Sequence, residues 1–115
     1  MREALRLWSQ SLHGPSFERN TMFARVSTYR PGPDSTGAPS EGTVRQVLDL
    51  QGCRGIYYLF GKDNKSLSIT LWDDEKALSG SRQVADRIRS ETSADQHMEI
   101  LGVEEFEVLT RQTKD

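Results

Sequence analysis

The chain has 115 residues, 35% hydrophobic and 28% charged, with net charge −2 and a pI near 5.7. That suits one domain with a modest core. It argues against nucleic-acid binding, which needs a basic face, and no apolar run nears the roughly 18 residues of a membrane span. The lone cysteine, Cys53, cannot form an intramolecular disulfide, so a reducing, cytoplasmic setting is expected. The N-terminus lacks the apolar run of a secretory signal, and the acids Glu3 and Glu18 count against a transit peptide.

Residues 3–8 (EALRLW) suit a short helical turn, which Gly14 and Pro15 then interrupt. Residues 1–21 are accordingly expected to be a flexible extension, with the folded domain spanning 22–110 and a frayed tail at 111–115. MFARVSTYR from Met22 predicts a first strand in which apolar residues alternate with small or polar ones. RPGPDSTGAPSEG is a loop by its Pro, Gly and Ser content. Ser40 then caps a helix to about Leu50, with a Val44, Val47 and Leu48 stripe, and Gly52 stands where a left-handed residue is wanted.

A second strand over 55–60 (GIYYLF) is apolar throughout, which predicts that both its faces are covered. GKDNK reads as a hairpin loop, and SLSITLW at 66–72 alternates strictly. Leu67, Ile69 and Leu71 fall on one face; Ser68, Thr70 and Trp72 fall on the other. Asp73 or Asp74 caps a second helix through about Thr92. Ala77, Leu78, Val84, Ala85 and Ile88 form its buried stripe, and Lys76, Arg82, Asp86, Arg87 and Arg89 face water. The last strand, 99–109, changes phase near Gly102, as a bulge would make it do.

The order β-α-β-β-α-β predicts an α+β, ferredoxin-like fold: a four-stranded antiparallel sheet with both helices on one face. The other face is expected to hold Tyr, Trp and Phe side chains with no helix over them. A homodimer packed through that sheet face is the economical way to cover it.

ARVSTYR, GCRGIYYLF, SLSITLW with DDEKAL, and VEEFEVL together resemble the dimeric α+β barrel proteins, and among them the antibiotic-biosynthesis-monooxygenase-like (ABM) domain. The resemblance runs from about Met22 to Leu109 and rests on element order and the W-[DE]-x-x-x-A-L step. The chain departs from the pattern at Cys53, where an aromatic is common, and in a shortened first helix. The resemblance implies a monooxygenase (an oxidoreductase) that oxidises a flat aromatic or hydrophobic small molecule without a cofactor. A non-catalytic binding or accessory protein on the same fold is the alternative, and a stress or regulatory domain a third. Haem-degrading relatives combine a strand-one Asn with a Trp and a His on the second helix. Here strand one offers Ser27 and Thr28, and 75–92 has neither Trp nor His, which counts against haem. The cofactor-free relatives use a Trp near Trp72 with Asn, Tyr or Arg partners; Arg82, Arg87 and Arg89 are the cations on offer.

Arg25, Tyr29, Tyr58 and Trp72 are the candidate pocket residues, and the pocket lies either on the sheet face or between sheet and helices. Each also has a plainer role. Trp72 is a strand-end anchor, the tyrosines are sheet packing, and Arg25 is the partner of Glu104 or Glu105. No catalytic residue is assigned and no cofactor is expected. His97 and His13 lack further ligands at metal spacing, so no metal site is expected. Cys53 lies beside Arg54, which would lower its pKa, but no partner base is evident.

Overall fold

The computed structural model describes residues 21–36 and 38–114. The expected extension therefore lies outside the described residues, apart from Thr21. Four strands and three helices follow in order: β1 (Met22–Pro31), α1 (Glu41–Leu48), β2 (Cys53–Phe60), β3 (Ser66–Trp72), α2 (Glu75–Gly80), α3 (Arg82–Asp95) and β4 (Met98–Val108). The strands form one antiparallel sheet ordered β2-β3-β1-β4. This is the α+β, ferredoxin-like arrangement expected from the element order.

Local chemistry accounts for the boundaries. The Ser40 side chain accepts from the Thr43 amide and starts α1; Asp74 accepts from the Ala77 amide at 2.8 Å and starts α2. Gly52 has φ +83°, and a Cβ there would fall 2.4 Å from that of Ala77. Only glycine therefore suits this turn, where α1 hands over to β2 close against α2. In the β2–β3 loop it is Asn64 that takes the positive φ, at 54°. The β1–β4 register shifts between Thr28 and Tyr29, opposite Gly102 and Ile100, so Leu101 is the extra residue of the expected bulge.

The expected single second helix is two helices. Ser81 closes α2 and opens α3 with αR backbone angles. An uninterrupted helix would send the Arg82 amide to the Leu78 carbonyl. That carbonyl instead accepts from Arg25 Nη2 at 2.8 Å and from Ser81 Oγ at 2.9 Å. A strand cation thus occupies the acceptor at which the helix breaks. α3 also runs on to Asp95, past the expected Thr92.

The helices cover one sheet face, and that face is unusually polar. Strand alternation and register put Arg25, Ser27 and Tyr29 of β1 beside Thr70, Ser68 and Ser66 of β3, with Trp72 at the end of the row. The opposite face carries Ala24 and Val26, Leu67, Ile69 and Leu71, Tyr57 and Leu59, and Phe106. No described helix packs there. Trp72 belongs to the helix side and is fully buried, which corrects the expectation that it stands on the helix-free face. Nor is β2 covered on both sides within the protomer: Tyr57 is 50% exposed and Leu59 46%. Among the described residues no helix is long and apolar enough to cross a membrane.

Candidate functional site

A cleft of about 450 Å³, counted out to its solvent-open mouth, lies between the polar sheet face and helices α1 and α3. Arg25, Tyr29, Tyr58 and Trp72 all line it. The four candidates thus converge on one place, and of the two locations considered it is the one between sheet and helices.

Trp72 closes the end of the cleft. Its ring is fully buried, its Nε1 donates to Thr70 Oγ1 at 2.9 Å, and the Arg25 guanidinium carbon lies 5.3 Å from its centroid. That cation–π contact forms away from water, where it is strongest. Tyr29 and Tyr58 stack along the wall, with centroids 6.2 Å apart and planes 11° from parallel. The Tyr29 hydroxyl shares a 3.0 Å hydrogen bond with Ser68 Oγ. Burial, then the neighbouring Tyr29, pushes the Tyr58 phenol well above its ordinary pKa, while Arg89 pulls weakly the other way. Tyr58 therefore stays protonated and able to donate across the physiological range.

Arg25 is occupied. Its Nε and Nη2 donate to Glu105 at 3.2 and 3.1 Å, Nη2 also to the Leu78 carbonyl, and Nη1 to Ser81 Oγ at 3.2 Å. Arg82 grips the same carboxylate from outside, at 2.6 Å. The expected Arg25–Glu105 pair is present, and with Ser81 and the Leu78 carbonyl it occupies all three nitrogens of Arg25. Burial pulls the Arg25 pKa down, and the Glu105 contact offsets it in part.

Arg89 departs from expectation. It does not face water: its side chain is 9% exposed and lines the cleft. Nε donates to Ser27 Oγ at 3.0 Å and Nη1 to Asp86 Oδ1 at 2.6 Å. The signal was present in the sequence, because Ala85, Ile88, Arg89 and Thr92 recur at i, i+3, i+4 and i+7, the spacing of a covered helix face. All four line the cleft. Ser27, Ser68 and Thr70 line it too, and they were legible as the polar half of each strand's alternation.

Cys53 is half-buried, with Sγ 3.7 Å from the Gly55 carbonyl, and burial raises its pKa. The lowering expected from Arg54 does not arise, because Arg54 is paired with Asp73 at the surface. His97 meets Asp34 at 2.9 Å on an exposed turn and does not line the cleft. No described imidazole is therefore placed to ligate a haem iron there. Among the described residues no cluster of three or more His, Cys, Asp or Glu could hold a metal ion.

No protein-family model matches the chain, and no curated protein matches it. Solved structures do. A putative antibiotic biosynthesis monooxygenase from Chloroflexus aurantiacus J-10-fl aligns over 80% of this chain and 97% of its own, with TM-score 0.50 and 11% identity. A point variant of SnoaB, a cofactor-independent oxygenase from Streptomyces nogalater, aligns over 80% and 95%, with TM-score 0.51 and 21% identity. At these identities the likeness is one of fold. The chain has the α+β fold of the antibiotic biosynthesis monooxygenase structures, with a polar cleft between its sheet and helices.

Proposed function

We propose that this protein is a cofactor-independent monooxygenase for a flat aromatic small molecule, acting in a reducing cytoplasm as a homodimer. The observation that carries the reading is the convergence of Tyr29, Tyr58 and Trp72 with polar hydroxyls and cations in one solvent-open cleft. The aromatic side chains supply flat walls for a ring, and the hydroxyls supply orientation. The description of the SnoaB structure as a cofactor-independent oxygenase supports the reaction class.

In such a reaction an activated ring methylene loses a proton and its carbanion adds O2. The resulting peroxide takes up the proton and expels water. In sum CH2 and O2 become C=O and H2O, one oxygen atom entering the substrate and the other leaving as water. The protein's part is to hold the ring, exclude bulk water and stabilise the anion. Oxygen uptake with a panel of anthrone-like and quinol substrates is the test. Uptake that falls at least tenfold in Tyr58→Ala is expected, and a protein silent across the panel contradicts the oxygenase reading.

One observation favours the alternative, binding without turnover. No Asp, Glu or His lines the cleft among the described residues, so proton removal has no evident base and a substrate must ionise readily by itself.

The homodimer reading rests on the apolar face. Leu67, Ile69, Leu71, Tyr57, Leu59 and Phe106 form a surface that a second copy would cover, apolar against apolar. A dimeric mass at micromolar concentration is expected from sedimentation, and a monomeric mass contradicts it.

A further inference from the structure

Among the described residues, Arg89 is the cation of the cleft whose nitrogens are not all engaged. Nine-tenths of its side chain is buried, yet Nη2 makes no hydrogen bond among the described residues. Nor is Nη2 sealed off. Only Ser93 Oγ, among the described side-chain atoms, is both buried from solvent and without a partner. Nη2 therefore keeps open surface on a residue that lines the cleft. The two bonds Arg89 does make hold it in place, since Ser27 fixes Nε from the sheet and Asp86 fixes Nη1 from one turn earlier on α3.

A buried guanidinium with an idle donor edge is costly unless something fills it. Its counter-ion among the described residues, Asp86, is 69% exposed and screened by water, so it offsets that cost only in part. Tyr58 lines the same cleft as Arg89, and burial together with its contacts to Tyr29 keeps its phenol protonated. The cleft thus offers two donors from two residues, beside the stacked tyrosine rings.

We propose that Arg89 and Tyr58 form a carboxylate-binding subsite, and that the ligand of the cleft is a planar aromatic acid. The proposal rests on the reading that the cleft is the ligand site, and it specifies the ligand's charge. Two donors on separate side chains match the two oxygens of a carboxylate better than the single oxygen of an ionised enol. Arg25, its nitrogens committed, takes no part.

The test is an NMR titration of the isotope-labelled protein with 2-naphthoate and with 2-naphthamide, which share ring and shape and differ in charge. Naphthoate is expected to bind at least tenfold more tightly than the amide. Arg89→Gln should weaken naphthoate by about tenfold or more, the range for a charge-assisted hydrogen bond, and leave the amide unchanged. Arg89→Lys should restore part of the loss, and dispersed spectra show that each variant is folded. Equal affinity for acid and amide overturns the subsite, and that comparison needs no variant; the aromatic-binding reading then survives. No binding of either probe overturns both. Arg89-dependent naphthoate binding in a protein silent in oxygen uptake supports the subsite and removes the oxygenase reading alone.

Discussion

Trp72→Ala is expected to lower the unfolding free energy by about 3–5 kcal/mol, the range for deleting a buried aromatic from a packed interior. The ring is fully buried and carries the Thr70 hydrogen bond and the Arg25 cation. Against a total of about 5–15 kcal/mol for a typical domain, such a loss leaves the protein marginal or unfolded. Trp72→Phe keeps most of the packing and loses the indole N–H, so it should cost about half as much. Urea melts of both variants check this. A Trp72→Ala loss below about 1 kcal/mol would mean that Trp72 packs less closely than its burial indicates.

Arg25→Leu is expected to cost about 3 kcal/mol while leaving aromatic ligands bound in the molecules that remain folded. The substitution takes the Arg25 donor from the Leu78 carbonyl and from Ser81 Oγ, which keep only their bond to each other, and it leaves Glu105 with Arg82 alone. Acid should reach the same cluster. The hydrogen bond from Arg82 is the largest influence holding Glu105 below the ordinary carboxylate range; burial opposes it, and Arg25 adds to it. A depressed folded-state value means that the stabilisation is complete above the unfolded value of about 4.3. It is lost as pH falls from there through the folded value. Glu105→Gln should flatten the stability profile in that acid window and not above it. An unchanged profile would remove Glu105 from the acid response.

Arg25 and Arg89 show what the sequence made legible and what it did not. The alternation of β1 and β3 is local, so it separated Ser68, Thr70 and Trp72 from Leu67, Ile69 and Leu71 correctly. Which set the helices would cover is not a local property. The apolar set is the usual choice for a core, and here the helices lie over the polar one. Trp72 goes with the polar set, so its side of the sheet is fixed only once the helices are in place. The break at Ser81 was hidden in a related way, because it depends on a cation more than fifty residues away in the chain reaching the Leu78 carbonyl.

The cleft was half legible. Arg25, Tyr29, Tyr58 and Trp72 carried the residue types of a pocket, and they do meet. The division of labour between the two arginines could not be read, because it turns on partners. Glu105, Ser81 and Leu78 use up Arg25, whereas Ser27 and Asp86 leave Arg89 an idle nitrogen. An arginine on an amphipathic helix reads as solvated unless its i, i+3, i+4, i+7 neighbours are counted with it.

The inverted polarity of the sheet joins these observations into one account. A polar face under helices and an apolar face without them suit the proposed ligand site inside and the proposed second copy outside. The most direct test is where 2-naphthoate lands in the titration described above. The account predicts shifts at Ser27, Tyr58, Ser68, Thr70, Trp72 and the Arg89 Nε–H, on the helix side of the sheet. Shifts confined to Leu67, Ile69, Leu71 and Tyr57 would place the ligand on the apolar face and contradict it.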